Sequence, residues 1–218
     1  ARIYADEFEE LTMLRAFANG EDVYTALEQT ILDNTKIDVG RQVAKNIFLG
    51  KIYGLGLDHL IEMILEESHS DVDHYGAEQI VKAFDDTFPI VAESMQKIAR
   101  RVERMGFVRN RYGQILYVPY DFAYRGVNYI IQTTAQRVIK EAMLRIDAKL
   151  KGLWDKIHLV LQIHDELVFE IHKSIAPETI APIIKELMED TNKFPHVRLT
   201  ADFEICTDNW LEKKELEL

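Results

Sequence analysis

The chain has 218 residues, of which 47% are hydrophobic and 29% are charged, with ten glycines and five prolines. This composition is enough for one sizeable core or two smaller subdomains, and it excludes disordered and fibrous proteins. The formal net charge of −11 excludes a simple basic DNA-coating protein, although a local basic face would still permit binding to nucleic acid.

Cysteine content and hydropathy indicate the compartment. Cys206 is the single cysteine, so no internal disulfide can form and a reducing compartment is expected. No apolar run of the sequence is long enough to span a membrane, and no signal-peptide pattern opens it. The first residue is Ala1 rather than Met, which indicates either a removed initiator or a piece of a larger protein.

Helical patterns dominate the first half of the sequence. Helices are predicted over residues 9–17, 22–32, 38 or 40 to 53, and 57–67, and glycines at 20, 54 and 56 break the pattern. Residues 75–105 carry a long amphipathic pattern, in which Phe88–Pro89 predicts a break or kink.

Strand patterns gather in the second half. Residues 106–119 and 159–171 each predict a hairpin, and residues 198–205 predict a final strand. Helices are predicted over residues 122–150 and 177–192, and a charged tail follows. The predicted fold class is therefore α+β, with a helical lobe over residues 1–118, including the first hairpin, and a second lobe over residues 119–218.

The second hairpin has an unusual turn. Two apolar runs flank the polar triplet His164-Asp165-Glu166, where a plain hairpin would favour Gly or Asn. Acidic side chains at the tip of buried strands are suited to bind a hard divalent cation. The residues alone leave two interpretations open, a metal or catalytic tip and a solvated acidic turn.

One helix carries an evenly spaced face. Arg41, Lys45, Leu49 and Tyr53 recur every four residues and therefore share one side of a helix. The cationic end suits a polyphosphate, and the apolar and aromatic end suits a flat base. An ordinary amphipathic helix with solvated cations is the alternative.

Together these two stretches resemble the nucleotide-binding helix and the metal-binding hairpin of the family A DNA polymerases, the bacterial DNA polymerase I group. The family's helix reads Arg-x-x-x-Lys-x-x-x-Phe-x-x-x-Tyr-Gly, and its hairpin carries His-Asp-Glu. Here the two patterns stand as Arg41, Lys45, Leu49, Tyr53 and Gly54, and as His164, Asp165 and Glu166.

Further segments match the family in the same order along the chain. Residues 19–25 are similar to Gly-Glu-Asp-Ile-His-Thr, residues 106–119 resemble an Arg-rich hairpin that ends in Pro, and residues 128–135 resemble Asn-x-x-x-Gln-Gly-Thr-Ala. The resemblance covers essentially the whole chain. It implies a helical fingers lobe followed by the C-terminal part of an antiparallel-sheet palm, in the cytoplasm of a bacterium or a phage-infected cell.

The resemblance implies roles in binding the incoming dNTP. Arg41 and Lys45 would contact the triphosphate, with Lys45 counted among the catalytic residues. Leu49 would pack on the nucleotide. Tyr53 would lie beside the templating base and, with Gly54, help to gate it.

The resemblance also implies roles toward the DNA primer-template and the metal. Asn128 and Gln132 would face the duplex minor groove, where every base pair presents acceptors, and His164 would lie by the primer end. Asp165 would bind two catalytic Mg²⁺ ions, supported by Glu166. The reaction implied is attack of the primer 3′-hydroxyl on the α-phosphate with release of pyrophosphate.

The family's first catalytic aspartate has no counterpart in the favoured alignment. In the family this aspartate lies in the motif Asp-Tyr-Ser-Gln-Ile-Glu, and the next six residues read Leu-Arg-Ile-Leu-Ala-His. Residues 1–6 of this chain match those next six residues without gaps. Asp6 then falls at the His position. A rival alignment takes Ala5–Asp6 as the first motif but needs a deletion before Gly20. The ungapped alignment predicts the C-terminal piece of a split polymerase, inactive without an N-terminal partner subunit that carries the first aspartate.

Several positions depart from the family pattern. Leu49 replaces Phe, Tyr24 replaces His, Thr133 replaces Gly, and Arg137 stands where Asp is common, while residues 114–116 replace an Arg-rich run. These differences resemble phage members more than typical bacterial ones. They predict altered nucleotide selection and a weaker salt dependence of DNA binding.

Two other functions are compatible with the same residues. One is a catalytically inactive, polymerase-derived module that binds DNA or protein. The other is a metal-dependent phosphohydrolase that uses His164, Asp165 and Glu166, but the sequence offers no second carboxylate motif for it.

Overall fold

The computed structural model describes residues 1–68, 72–189, 192–207 and 209–216. Its α-helices are α1 (Arg2–Phe8), α2 (Leu11–Ala18), α3 (Val23–Thr35), α4 (Gly40–Tyr53), α5 (Leu57–Glu67), α6 (His74–Thr87), α7 (Pro89–Met105), α8 (Gly126–Leu150) and α9 (Pro177–Glu189). Short 3₁₀ turns cover Tyr120–Arg125, Lys151–Leu153 and Trp210–Glu212.

Short antiparallel ladders complete the fold. The strands are β1 (Phe107–Arg109), β2 (Ile115–Tyr117), β3 (Ile157–Ile163), β4 (Glu166–Ile171), β5 (Glu204–Ile205) and β6 (Lys214–Glu215). They pair β1 with β2, β3 with β4 and β5 with β6. The α+β prediction is confirmed.

The chain divides into two compact units, residues 1–132 and residues 133–218. Helix α8 begins in the first unit and ends in the second. The sequence-based boundary after residue 118 concerns functional lobes and stays a prediction.

Aromatic rings form the centre of the first unit. The buried ring of Phe48 on α4 packs edge-on against Tyr24 at 5.3 Å, Phe88 at 5.5 Å and Phe84 at 6.0 Å between centroids. Such edge-to-face pairs stabilise a core beyond the area they bury. Phe88 also ends α6, and Pro89 opens α7, so the predicted break at this position is confirmed.

The core of the second unit is smaller. Its buried cluster lies on the end of α8, the base of β3 and α9, and comprises Ile146, Leu150, Ile157, Ile180 and Ile184. Partly buried residues of β4, namely Leu167, Phe169 and Ile171, also pack against this cluster, so the hairpin is supported mainly through β4.

The predicted strand over residues 198–205 is wrong in extent, because only Glu204–Ile205 is a strand. Side chains of α9 satisfy the backbone before it. Glu189 accepts hydrogen bonds from the Ala201 N–H at 3.1 Å and from the Arg198 guanidinium at 2.6 Å, and Lys185 donates to the Ala201 carbonyl at 2.5 Å. Backbone N–H and carbonyl groups that already form hydrogen bonds with side chains do not require a partner strand.

Several helix boundaries also differ from the predictions, two of them in the second half of the chain. The helix predicted from residue 122 begins at Gly126, because residues 120–125 form a 3₁₀ turn. The helix predicted to reach residue 192 is described over Pro177–Glu189 and does not include residue 192, while residues 190–191 lie outside the described residues. Across the described ranges, none of the helices combines the length and the apolar character needed to cross a bilayer.

Candidate functional site

Helix α4 has two distinct faces, which the sequence periodicity determines. Its core face is fully buried and comprises Val43, Ala44, Ile47, Phe48 and Ile52. On the predicted binding face Arg41 is exposed, Lys45 and Leu49 are half-buried, and Tyr53 is 39% exposed. Four side chains of graded chemistry are therefore held in a row on a helix that the core fixes.

Arg41 is held by a partner from the neighbouring helix. Its guanidinium pairs with the Asp22 carboxylate at 2.5 Å and lies 5.6 Å from the centroid of the Tyr24 ring. Asp22 also caps α3, accepting from the N–H groups of Tyr24 at 2.8 Å and Thr25 at 3.0 Å. Although partial burial opposes ionisation, the Arg41 guanidinium and these two N–H groups lower the pKa of Asp22.

Lys45 and Leu49 occupy the middle of the same face. Within the described ranges, the Lys45 ammonium has no hydrogen-bond or ion-pair partner. Leu49 packs partly against the core of the first unit. A cation without a protein partner, one turn from an engaged arginine, is free to bind an anion such as a phosphate.

The end of α4 requires glycine. Gly54 has φ +81° and closes the helix by donating to the carbonyls of Gly50 and Lys51. A Cβ at Gly54 would lie 3.0 Å from Met95 Cε and from Tyr124 Cδ2, and 3.2 Å from the Tyr124 carbonyl. Close packing and the left-handed backbone therefore both select glycine beside Tyr53.

The β3–β4 hairpin positions the predicted tip. Ile163 pairs with Glu166, so His164 and Asp165 form a two-residue turn. His164 has φ +53°, a left-handed conformation that is uncommon outside glycine and in which Asn, Asp and His are the more frequent exceptions. The Gln162 amide donates to the His164 carbonyl at 2.6 Å and stabilises the turn.

Strand β3 is apolar yet exposed along most of its length. Only Ile157 is buried, and the six residues that follow are exposed. The apolar ones are consecutive or alternate, so both faces of the strand carry exposed apolar side chains, namely Leu159, Val160, Leu161 and Ile163. An extra residue between Leu159 and Leu161 shifts the register and adds local twist.

The two carboxylates of the tip differ in their surroundings. Glu166 pairs with Lys213 at 3.2 Å, and Lys213 also pairs with Glu204 at 3.1 Å. Hydrogen bonds to Glu204 and Glu166 raise the pKa of Lys213. Asp165 is exposed and has no ion-pair or hydrogen-bond partner among the residues that the structure describes.

The donor chemistry of the tip fits a magnesium ion, although incompletely. Mg²⁺ prefers oxygen ligands and is usually held by one or two carboxylates together with substrate phosphates. Asp165 offers one free carboxylate, and Glu166 offers a second that Lys213 partly neutralises. Among the described residues no three His, Cys, Asp or Glu side chains come together as a metal site. The two carboxylates of the tip are therefore fewer than a complete protein metal site needs.

The predicted minor-groove residues share one face of α8. Asn128 and Gln132 are four residues apart on this helix, so their side chains are neighbours. Gln132 is exposed, whereas Asn128 is half-buried and its Oδ1 has no hydrogen-bond partner within the described residues. An unsatisfied amide oxygen is unusual in a folded interior and is consistent with a position kept for an external partner.

Asp6, the catalytic candidate of the rival alignment, lies in a structural ion pair. It is 1% exposed on α1, where its carboxylate pairs with Arg111, and the same guanidinium donates to Glu7 at 2.8 Å. A metal-binding carboxylate must be reachable, whereas Asp6 is enclosed and neutralised. This geometry favours the ungapped alignment.

The structure thus brings the predicted residues together in three local groups. Arg41, Lys45, Leu49, Tyr53 and Gly54 share α4, Asn128 and Gln132 share α8, and His164, Asp165 and Glu166 share the hairpin tip. Sequence reasoning missed the partners of these groups, namely Asp22 as the anchor of Arg41, Lys213 beside Glu166 and Tyr124 against Gly54. No local sequence signal marks these partners, because they lie 19 to 70 residues away along the chain.

Comparisons with known proteins agree with the resemblance seen in the sequence. The model of DNA polymerase family A matches residues 1–212. The thermostable DNA polymerase I of Thermus filiformis is 31% identical over 216 residues, which cover 92% of this chain and 24% of that protein. The DNA polymerase of Mycobacterium phage D29 is 31% identical over 159 residues, covering 72% of this chain and 24% of that protein.

A solved structure shares the fold. The POL domain of Pol1 from M. smegmatis, in complex with DNA primer-template and dNTP, matches 91% of this chain and 36% of its own length, with a TM-score of 0.75 and 24% identity. The chain spans about a quarter of the length of the two curated relatives named above. With the family model matched over nearly all of its residues, the chain belongs to DNA polymerase family A.

Proposed function

We propose that this chain supplies the nucleotide-binding helix and half of the metal site for template-directed DNA synthesis. The observation that carries the proposal is the graded face of α4, where Lys45, which has no ion-pair partner among the described residues, lies one turn from Arg41 on a helix anchored by its opposite side. Membership of DNA polymerase family A supports the same activity.

The residues of α4 would bind the incoming dNTP. Arg41 would contact the triphosphate as a planar fork and Lys45 as a point charge. Leu49 would pack on the nucleotide, with less contact area than the family's aromatic ring provides. Tyr53 and Gly54 would border the templating base. At Gly54 the close approach of Tyr124 leaves no room for a larger side chain.

The hairpin tip would act at the primer end. Asp165 and Glu166 would hold Mg²⁺, which when bound supplies charge stabilisation for attack by the 3′-hydroxyl and for release of pyrophosphate. His164 would lie beside the primer terminus, and Asn128 and Gln132 would face the minor groove of the primer-template. Glu166 would exchange its contact with Lys213 for this role.

The first catalytic aspartate would come from outside these 218 residues, in the simplest case from an N-terminal partner subunit. The exposed apolar residues of β3 support this part of the proposal, since apolar side chains on both faces of a strand are stable when further elements pack against those faces. A partner that adds palm strands here would also bring its aspartate near Asp165.

Reconstitution of primer extension tests the proposal. The chain is mixed with a polypeptide that carries the remaining polymerase segments, including Asp-Tyr-Ser-x-x-Glu, and is assayed with primer-template, dNTPs and Mg²⁺. We expect no extension by either part alone, extension by the mixture, and loss of extension with Asp165→Asn. Glu170→Gln, an exposed acid of β4 away from the tip, is the matched control and should keep extension.

Three results would contradict the proposal. Extension by this chain alone would show that no second chain is needed, and extension that survives Asp165→Asn would remove the hairpin tip from the reaction. Unchanged extension with Lys45→Ala would show that the α4 face does not take part in the reaction.

An inactive DNA- or protein-binding module is the alternative. One observation favours it, since Arg41 and Glu166 are already held by Asp22 and Lys213 and are not poised as free charges. This alternative predicts that the mixture binds primer-template but never extends it, and that Asp165→Asn leaves binding unchanged.

A further inference from the structure

One lysine bridges two carboxylates beside the tip of the β3–β4 hairpin. The Lys213 ammonium lies 3.2 Å from the Glu166 carboxylate and 3.1 Å from the Glu204 carboxylate. An ammonium has three donors and no acceptor, so it can hold both acids at once. We call Glu166, Lys213 and Glu204 the lysine bridge. All three residues belong to the second unit.

The backbone fixes Lys213 from both sides. Before it, the side chain of Asn209 caps the 3₁₀ turn Trp210–Glu212. After it, β6 pairs with β5, and the Leu216 N–H donates to the Phe203 carbonyl at 2.8 Å. The position of the lysine beside the hairpin tip therefore follows from the fold of this segment and does not depend on its ion pairs alone.

An aromatic ring supports the lysine as well. The Lys213 ammonium lies 5.2 Å from the centroid of the Trp210 ring, within the range at which a cation is attracted to a π-face. Lys213 therefore has two contacts that do not involve the hairpin tip, one with Trp210 and one with Glu204. It would keep both of them if Glu166 turned away.

Glu204 has its own reason to retain the lysine. It lies directly opposite Glu215 in the β5–β6 ladder, and like charges in such a pair repel each other. The ammonium at 3.1 Å neutralises one of these two acids. Glu204 is therefore the lasting partner of Lys213, whereas Glu166 is the partner that can be exchanged.

The contact between Lys213 and Glu166 is open to water. The side chains of Glu166 and Lys213 are 47% and 27% exposed. Water and dissolved salt weaken an ion pair of this kind, so a competing cation can displace one of its members. The nearest carboxylate along the chain is that of Asp165, which the proposed function assigns to Mg²⁺.

We propose that Lys213 is a positioning residue that competes with the metal ion for Glu166, and that Glu204 retains the lysine when Glu166 is released. While the lysine holds Glu166, only Asp165 is available to a cation at the tip. With the lysine on Glu204 alone, both tip carboxylates are available, and one or two carboxylates are the usual protein ligands of Mg²⁺. This inference rests on the proposed function, because it takes Glu166 as a metal ligand.

A titration of the chain with Mg²⁺ tests the inference without any polymerase reaction. The amide chemical shifts of residues 164–166 are followed by nuclear magnetic resonance, so the dissociation constant refers to the tip. Lys213→Gln should lower this constant by about threefold, in keeping with the loss of one exposed ion pair. Lys213→Arg keeps the positive charge and should leave the constant close to that of the parent chain.

Lys214→Gln is the matched control, because it removes the same charge from the next residue. Consecutive residues of an extended segment point to opposite faces, and Lys214 has no ion-pair partner among the residues that the structure describes. The control should change Mg²⁺ binding far less than Lys213→Gln does. An equal gain in both variants would mean that the net charge sets the affinity and would overturn the inference.

Glu204→Gln tests the second half of the inference. Without this acid the lysine stays on Glu166, so Mg²⁺ binding at the tip should weaken by about twofold. Glu215→Gln removes the opposite acid of the ladder and should weaken binding less. In a chain that already carries Lys213→Gln, the change at Glu204 should have no further effect, because it acts through the lysine.

Three results would overturn the inference alone. They are a Lys213→Gln chain that binds Mg²⁺ no more tightly than the parent, a Lys213→Arg chain that behaves like Lys213→Gln, and an effect of Glu204→Gln that persists without the lysine. Tryptophan fluorescence shows whether the turn at Trp210 survives each change. If Lys213→Gln disrupts that turn, Lys213→Arg and Glu204→Gln decide, since both keep the positive charge.

Failure of the proposed function gives a different result. If Glu166→Gln left the Mg²⁺ titration unchanged, the tip would not be a metal site, and both the proposed function and the inference would fall. If the reconstituted mixture never extended a primer while Mg²⁺ affinity still depended on Lys213, the result would count against the proposed function and not against the lysine bridge.

Discussion

Helix α4 and strand β3 carry comparable numbers of apolar residues, but they use them differently. The apolar side of α4 is wholly buried in the ring cluster around Phe48. Strand β3 buries only Ile157 and exposes the rest. The difference indicates that α4 is fixed by the core of the first unit, whereas the β3–β4 hairpin is held through Ile157 and the partly buried side chains of β4 and leaves the rest of β3 uncovered.

The charged groups of the two regions are more alike. Arg41 pairs with Asp22, and Glu166 pairs with Lys213, in both cases at the surface. Exposed ion pairs contribute little to stability, typically below about 1 kcal/mol. A ligand can therefore replace them at small cost, so neither pair prevents the proposed binding.

The largest expected effect is on the core of α4. Phe48→Ala removes a ring packed by three others and should lower the free energy of unfolding of the first unit by about 3–5 kcal/mol. Leu161→Ala on β3 is the comparison, and because Leu161 is exposed it should cost less than about 1 kcal/mol.

Urea titrations can follow the two units separately. Both tryptophans, Trp154 and Trp210, lie in the second unit, so their fluorescence reports that unit, while far-ultraviolet circular dichroism also reports the helices of the first. Equal losses of stability for Phe48→Ala and Leu161→Ala would show that the contrast between α4 and β3 is mistaken.

A smaller effect is expected at the end of α4. Gly54→Ala adds left-handed backbone strain of about 1–2 kcal/mol and a close contact with the Tyr124 carbonyl. Gly20→Ala is the matched control, since Gly20 has φ +73° but no atom within 4 Å of an added Cβ. Thermal unfolding should show a greater loss for Gly54→Ala, and equal losses would mean that the contact with Tyr124 relaxes freely.

In the second unit, Glu189→Gln should destabilise by about 1–3 kcal/mol, because the nearly buried carboxylate holds Arg198, Lys185 and the Ala201 N–H. Although burial opposes ionisation, these contacts hold the pKa of Glu189 below its ordinary value of 4.5.

The sign of the pH effect follows from that shift. A lowered pKa in the folded state means that the stabilisation is present above pH 4.5 and is lost as the pH falls through the folded value. Tryptophan fluorescence in urea between pH 7 and pH 3 should show a smaller acid loss for Glu189→Gln than for the parent chain. Parallel pH profiles would contradict the role given to Glu189.

The smallest effect on stability is expected at Asp22. Asp22→Asn keeps a good helix cap but releases the Arg41 guanidinium, so the free energy of unfolding should change by less than about 1 kcal/mol. Triphosphate affinity, measured by calorimetry, should rise because the Arg41 guanidinium is no longer paired with a carboxylate. Asp22→Ala loses the cap as well and should destabilise more. Weaker triphosphate binding with Asp22→Asn would indicate that Asp22 positions Arg41 for the ligand.

Local sequence signals predicted most elements of the fold. The spacing of apolar residues in residues 40–53 and the break at Phe88–Pro89 depend on neighbours within four positions, and both are confirmed. The strand predicted from residue 198 is wrong in extent, because Glu189 and Lys185 on α9 take the N–H and the carbonyl of Ala201 that a ladder would otherwise pair. The roles of His164, Asp165 and Glu166 stay predictions.

The sequence by itself determined which residues share a helix face or a hairpin tip, because those arrangements follow from the periods of helix and strand. Only the tertiary structure decided which charges are already engaged and which rings stay uncovered. Asp22 reaches Arg41, Arg111 encloses Asp6, and Tyr124 closes on Gly54 across 19 to 105 residues. Contacts over such separations arise from the packing of whole helices, which no local period encodes.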